Sequence, residues 1–165
     1  MITVDYARTM ATYGAVMNRR VFDAAARLDD EARRRDRGAF WRSIHGTLSH
    51  LLWADAMWMA RFDGWDAPGE PLARSDRQYP DFVILRDERG RADGRIAAWA
   101  EALDPAWLAQ DQNWYSGAAQ KAMRAPRTLL VAHLFNHGTH HRGQVHAMLT
   151  AAGETVGATD LPFVI

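Results

Sequence analysis

Five of the chain's seven histidines fall within seventeen residues, HLFNHGTHHRGQVHAML, running from His133 to Leu149. Imidazole can ligate a metal, carry a proton or pair in a core, so the spacing has to say which. His133, His137 and His141 follow one another at i,i+4, which on a helix places all three on one stripe, each about a turn above the last. Leu130, Leu134, Val145 and Met148 flank that stripe, so the rings point toward a core, where both ring nitrogens need partners. A metal ion is one such partner, because an i,i+4 pair of histidines suits two positions on a tetrahedral or octahedral ion. Spacing leaves the pair open: His133 with His137, His137 with His141, and His137 with His140 are all sterically allowed, while His146 lies on another face. A third ligand must come from elsewhere, and His45, His50 and Asp55 all lie on one upstream helical pattern that does not choose between them. Asp55, His133 or His140 could accept a proton, and Arg142 could hold a carboxylate. Against these stand the plainer roles of a structural hydrogen-bond partner for Asp55 and a solvated or paired arginine for Arg142.

The elements that must position these residues are helical. Asp5 to Leu28 carries Tyr6, Met10, Tyr13, Met17, Val21 and Leu28 at three- and four-residue spacing, which predicts a first amphipathic helix. The charge run Asp29 to Gly38 predicts a solvated turn or short helical piece. From Ala39, the stripe Trp41, Ile44, Leu48, Leu51, Asp55, Trp58 and Phe62 predicts a second helix ending before Gly64. Three prolines and two glycines between Gly64 and Pro80 predict a crossing loop over one end of the helices. Helical spacing returns from Asp81 to Leu103, weakened by Gly90 and Gly94. Pro105 to Pro126 has no clean period and predicts a short hairpin or irregular excursion. Arg127 to Ala152, closed by Gly153, predicts the fourth long helix. The expectation is an all-α, four-helix bundle occupying residues 1–165 as one domain.

Composition narrows the chemistry. Twenty Lys and Arg balance twenty Asp and Glu, so no global field draws the chain to nucleic acid or an anionic membrane. With no cysteine there is no disulfide, no thiolate zinc site and no cysteine nucleophile, and any metal must rest on imidazole and carboxylate. No charged head precedes an apolar run at the N-terminus and no long apolar stretch occurs, so a cytoplasmic location is expected. Gly138 stands where a zinc protease places its glutamate base, and neither a GxSxG elbow nor a phosphate-binding glycine loop is present. Seven tryptophans are more than one small core readily hides, which favours a homodimer.

Two blocks, SIHGTLSHLLWADAMWMARFDG from Ser43 to Gly64 and HLFNHGTHHRGQVHAMLT from His133 to Thr150, together with the closing TDLPF, resemble the DinB family of damage-inducible proteins, within the DinB/YfiT-like superfamily. The resemblance implies an up-down-down-up bundle that holds one divalent metal on three histidines. Carried over by motif, these are His50, His137 and His141, with His133, His140 and Gln144 available to orient a ligand imidazole or hold a water. It also implies pairing as a homodimer, and it links the chain to branches that use a low-molecular-weight thiol such as bacillithiol or mycothiol. The expected ion is nickel or zinc, which imidazole suits. The expected function is a metal-dependent thiol S-transferase or hydrolase in stress response or detoxification. The alternatives are a non-catalytic metal or small-molecule binding protein, and a bundle whose histidines only pack.

Overall fold

The computed structural model describes residues 2–165 and is mostly helical with one small antiparallel sheet. The helices are α1 (Val4–Ala26), α2 (Asp30–Arg34), α3 (Ile44–Phe62), α4 (Phe82–Glu101), α5 (Pro105–Leu108), α6 (Arg127–Ala151) and α7 (Leu161–Val164). Strands β1 (Asp111–Ser116) and β2 (Lys121–Pro126) form a hairpin immediately before α6, with Trp114 opposite Met123. Short polar side chains start the helices where their chemistry allows. Thr3, Asp29, Ser43, Asp81 and Asp104 each accept a hydrogen bond from a backbone N–H two or three residues on, which stabilises a helix start by about 1 kcal/mol apiece.

Among the long helices, α1 and α3 each pack against both α4 and α6. Their contact faces form a continuous core that includes Val21 and Phe22, Leu48 and Met59, Leu85 and Ile96, and Val131 and Leu149. Phe62, Trp99 and Trp107 close one end of it, their ring centroids 5.7–6.0 Å apart. α4 runs unbroken through Gly90 and Gly94, at a cost of about 1 kcal/mol each relative to alanine, because Leu85, Ala92, Ile96 and Trp99 bury around them. Trp53, Trp65 and Trp99 are buried, while Trp41, Trp58, Trp107 and Trp114 are partly exposed. No helix among the described residues is long and apolar enough to cross a membrane.

A polar layer joins all four long helices at mid-height. Arg89 of α4, 2% exposed, donates from Nη1 to Asp55 Oδ2 of α3 at 2.6 Å and lies 2.7 Å from Asp93 Oδ1. Asn18 of α1 donates to Asp93 at 2.8 Å and accepts from Arg142 Nη1 of α6 at 3.4 Å. Burial opposes the charge on Arg89, but Asp93 and Asp55 hold its pKa above the usual arginine range. Burial also pushes the Asp55 carboxyl up, against the pull of Arg89. Gly138 makes room for Arg142, since a Cβ there would stand 2.9 Å from its Nη1, whereas one on Gly14 would only reach ordinary contact at 3.8 Å. A cavity of about 20 Å³ beside this layer, lined by Asn18, Asp55, Arg89 and Arg142, is roughly the room one water needs.

The second helix starts later than its apolar stripe predicts. Ala39 to Ser43 is a tight turn, with Arg42 at φ 63° and the Ser43 N–H bonded to Trp41 O at 2.7 Å, so α3 begins at Ile44. That turn lies close against the start of α3, where a Cβ on Gly46 would meet Trp41 O at 2.7 Å. Trp41 therefore belongs to the turn, not the helix, and its ring stacks on His50 with centroids 4.2 Å apart.

Candidate metal centre

Because α3 packs along α6, an imidazole from α3 meets two that stand one turn apart on α6. The His137 and His141 Nε2 atoms are 3.1 Å apart, and His50 Nε2 is 3.3 Å from His137 Nε2. One ring nitrogen from each of the three residues lies within 4.8 Å of the others, and among the described residues no carboxylate belongs to the group. His50 and His141 are 4% and 6% exposed, and His137 is partly exposed.

The outer hydrogen bonds decide which nitrogens carry protons. Ser75 Oγ donates to Leu72 O at 2.8 Å, so toward His50 Nδ1, also at 2.8 Å, it acts as acceptor. Gln144 presents its carbonyl Oε1 to His141 Nδ1 at 2.8 Å and likewise accepts. Both imidazoles thus carry hydrogen on Nδ1 and aim a bare Nε2 lone pair inward. His137 faces those lone pairs with Nε2 while its own Nδ1 is buried without a hydrogen-bond partner among the described residues. A single N–H on His137 cannot satisfy two converging acceptors 3.1 and 3.3 Å away with good geometry. One cation between the three would satisfy all of them. Two nitrogens each about 2.0–2.1 Å from a shared ion stand roughly 2.8–3.4 Å apart at octahedral or tetrahedral angles, and the two spacings from His137 fall in that range.

Electrostatics agree with a set of neutral ligands. Burial, then the neighbouring His141, pushes His50 down to about 3, and burial followed by the surrounding histidines does the same to His137. His141 is also lowered by burial, though its bond to Gln144 opposes the shift. All three rings are therefore unprotonated at neutral pH.

A pocket of about 1250 Å³ opens over the three rings, lined by Trp41, Trp53 and Trp58 and by Trp114 and Tyr115 of the hairpin. His133 lies on its wall, edge-on to Trp58 at 5.3 Å and 5.7 Å from the His137 ring. The remaining sequence candidates fall elsewhere. His45 bonds the Tyr79 carbonyl through Nε2 at 2.8 Å. His140 is exposed beside His141, 5.0 Å between ring centroids, and does not line the pocket. His146 is partly buried and outside the group. Asp55 and Arg142 are in the polar layer, so Arg142 is buried rather than solvated, and neither side chain lines the pocket over the histidines.

Two contributors escape the sequence patterns: Trp41, which reads as helix, and Ser75, which sits in the crossing loop. That loop contains a 3₁₀ helix, Leu72–Arg77, stitched to α3 by bonds from Ser49 Oγ to Ser75 O at 3.0 Å and from Trp53 Nε1 to Glu70 O at 2.7 Å. Its fit is what brings a serine hydroxyl to His50. Replacing Ser75 by Ala should leave the fold intact and weaken divalent-metal affinity by about 10–100-fold, the usual cost of losing a ligand's outer partner. A competitive titration with a chromogenic chelator measures it, and unchanged affinity would mean that Ser75 does not orient the ring.

The DinB family model matches residues 1–165 of this sequence. Protein DinB of Bacillus subtilis (strain 168) is 26% identical over 162 residues, which cover 94% of this chain and 91% of the relative. No solved structure matches the chain. With the match spanning its whole length and three histidines gathered from the two blocks that resemble the family, the chain belongs to the DinB family.

Proposed function

We propose that this protein binds one divalent ion, nickel or zinc, through His50, His137 and His141, and uses it as a metal-dependent thiol S-transferase or hydrolase in stress response or detoxification. On this reading residues 1–165 form a single four-helix bundle of DinB/YfiT type, working as a homodimer. The observation that carries it is the convergence of three neutral imidazoles, two with bare Nε2 lone pairs, at the floor of a large aromatic pocket. A divalent ion on three neutral ligands keeps its full charge and supplies Lewis-acid chemistry, acidifying a thiol or water presented to it. The chain's own residues hold that site in place. Ser75 and Gln144 fix the His50 and His141 rings, and Trp41 and Trp53 lie near-parallel to the His50 ring with centroids 4.2 and 6.0 Å away.

Three protein ligands favour an open, catalytic type of site over the closed four-ligand structural type. The apolar core does not depend on the histidines, so the fold should survive metal removal. Elemental analysis of the purified protein should give one divalent ion per chain, and chelation should remove it while the helical circular-dichroism signal persists. A screen of thiol–electrophile pairs should then find turnover that chelation abolishes and metal restores. Absence of stoichiometric metal would overturn the metal reading. Stoichiometric metal without turnover in the screen would favour the non-catalytic binding protein.

A further inference from the structure

Among the described residues, the pocket over the histidines carries one cation without a counter-charge. Arg61 is on α3, three turns beyond His50 on the stripe that also bears Trp53 and Trp58, and it lines the pocket. Its guanidinium carbon lies 4.5 Å from the Trp58 ring centroid, and it makes no ion pair or hydrogen bond among the described residues. Burial alone lowers its pKa, with no carboxylate near enough to oppose the shift. The one acidic residue on the pocket wall among the described residues, Glu70, is already engaged by Arg74 at 2.9 Å. The rest of the lining is uncharged apart from the histidines, which are neutral. The aromatic cleft thus presents an unpaired cation at the end remote from the metal centre.

We propose that Arg61 is the specificity-determining residue of this pocket, and that its ligand is an elongated organic anion with an apolar or aromatic body and a terminal carboxylate. Arg61 lies over the Trp58 ring, and its N–H groups have no hydrogen-bond partner among the described residues, so they are available to bind a carboxylate through two parallel hydrogen bonds. Trp58 and Trp114, edge to face at 5.9 Å, offer the ring surfaces for the body. His50 and Arg61 are eleven residues apart, about 16 Å of helix axis. Long helical side chains lean toward the N-terminus, so the guanidinium reaches back toward His50. The ligand therefore needs a length on the order of 10 Å between its carboxylate and the group that reaches the histidines. The proposal rests on the pocket assigned above and names the class of molecule it accepts.

The test uses 6-phenylhexanoate and its neutral amide, titrated calorimetrically at pH 8 into metal-loaded protein and into protein stripped with a chelator. In the stripped protein no metal can attract the carboxylate, so a preference for the acid reports Arg61 alone. Wild type should bind the acid at least about tenfold tighter than the amide, the scale of one charge-assisted pair. Arg61→Gln should lose that preference while keeping its affinity for the amide. Arg61→Lys, which keeps the charge and the stem but not the fork, should retain a reduced preference. Equal affinity for the two probes in wild type, or no saturable binding of either, would overturn the assignment. So would equal weakening of both probes by Arg61→Gln, since Arg61 would then only cover Trp58. A failure of metal stoichiometry leaves the stripped-protein comparison readable, so the two proposals fail separately.

Discussion

Replacing His137 with Ala is expected to abolish stoichiometric metal binding while leaving the helical signal near wild type. His137 Nε2 stands between the other two, 3.1 Å from His141 and 3.3 Å from His50, so its loss removes the atom that brings the set together. The affinity loss should exceed the roughly 10–100-fold that follows loss of an outer partner, because a ligand itself is gone. The same variant should change the pH dependence of the metal-free protein. In the fold His137 is held down to about 3, below the ordinary histidine value of 6.5, so protonation favours the unfolded chain. Its neutral form therefore contributes stability above about pH 6.5 that is lost as pH falls toward 3, and His50, also near 3, behaves alike. Urea titrations of stripped protein across that window should show stability falling with pH in wild type and falling less steeply in the variant. Metal retained at wild-type occupancy would rule out His137 as a ligand.

The largest expected loss of stability lies away from the histidines. Arg89→Met should destabilise the protein by about 3–5 kcal/mol, the cost of leaving buried charge uncompensated. Arg89 and Asp55 are 2% and 6% exposed, and the variant strands the carboxylates of both Asp55 and Asp93. Changing Asp55 to Leu in the same chain should recover part of that loss, since a buried pair exchanged for apolar side chains of similar volume is often neutral or stabilising. The midpoint of urea denaturation, with an unchanged slope, measures both effects. A loss below about 1 kcal/mol for Arg89→Met would put the pair in the class of surface ion pairs and contradict its burial.

The helices were legible in the chain because their signals are local. Three- and four-residue apolar spacing, polar caps such as Ser43 and Asp81, and breakers such as Gly64 and Gly153 act within a turn or two. The hairpin before α6 could be expected from the same local evidence, as a stretch with no helical period. The misread start of α3 has a local cause too. Trp41 continues the apolar stripe, but the left-handed Arg42 and the close approach of Trp41 O to Gly46 break the helix there, and periodicity does not register either.

The sequence by itself determined that any metal here must rest on imidazole and carboxylate, since cysteine is absent, and that five histidines crowd one helix. Through the two motif blocks it also pointed to His50, His137 and His141. Spacing could not choose among pairs on α6 or between His45, His50 and Asp55 on α3, because helical periodicity gives the face of a residue and not the height at which two helices meet. Tertiary packing decided that. The register of α3 against α6 sets His50 level with His137 and His141, turns His45 to the Tyr79 carbonyl, and leaves Asp55 to Arg89. Packing also assigned Arg142 to the space beside Gly14 and Gly138, brought Ser75 to His50, and placed Arg61 in a cleft without a counter-charge. Each of these depends on residues distant in sequence, which only the folded chain brings together.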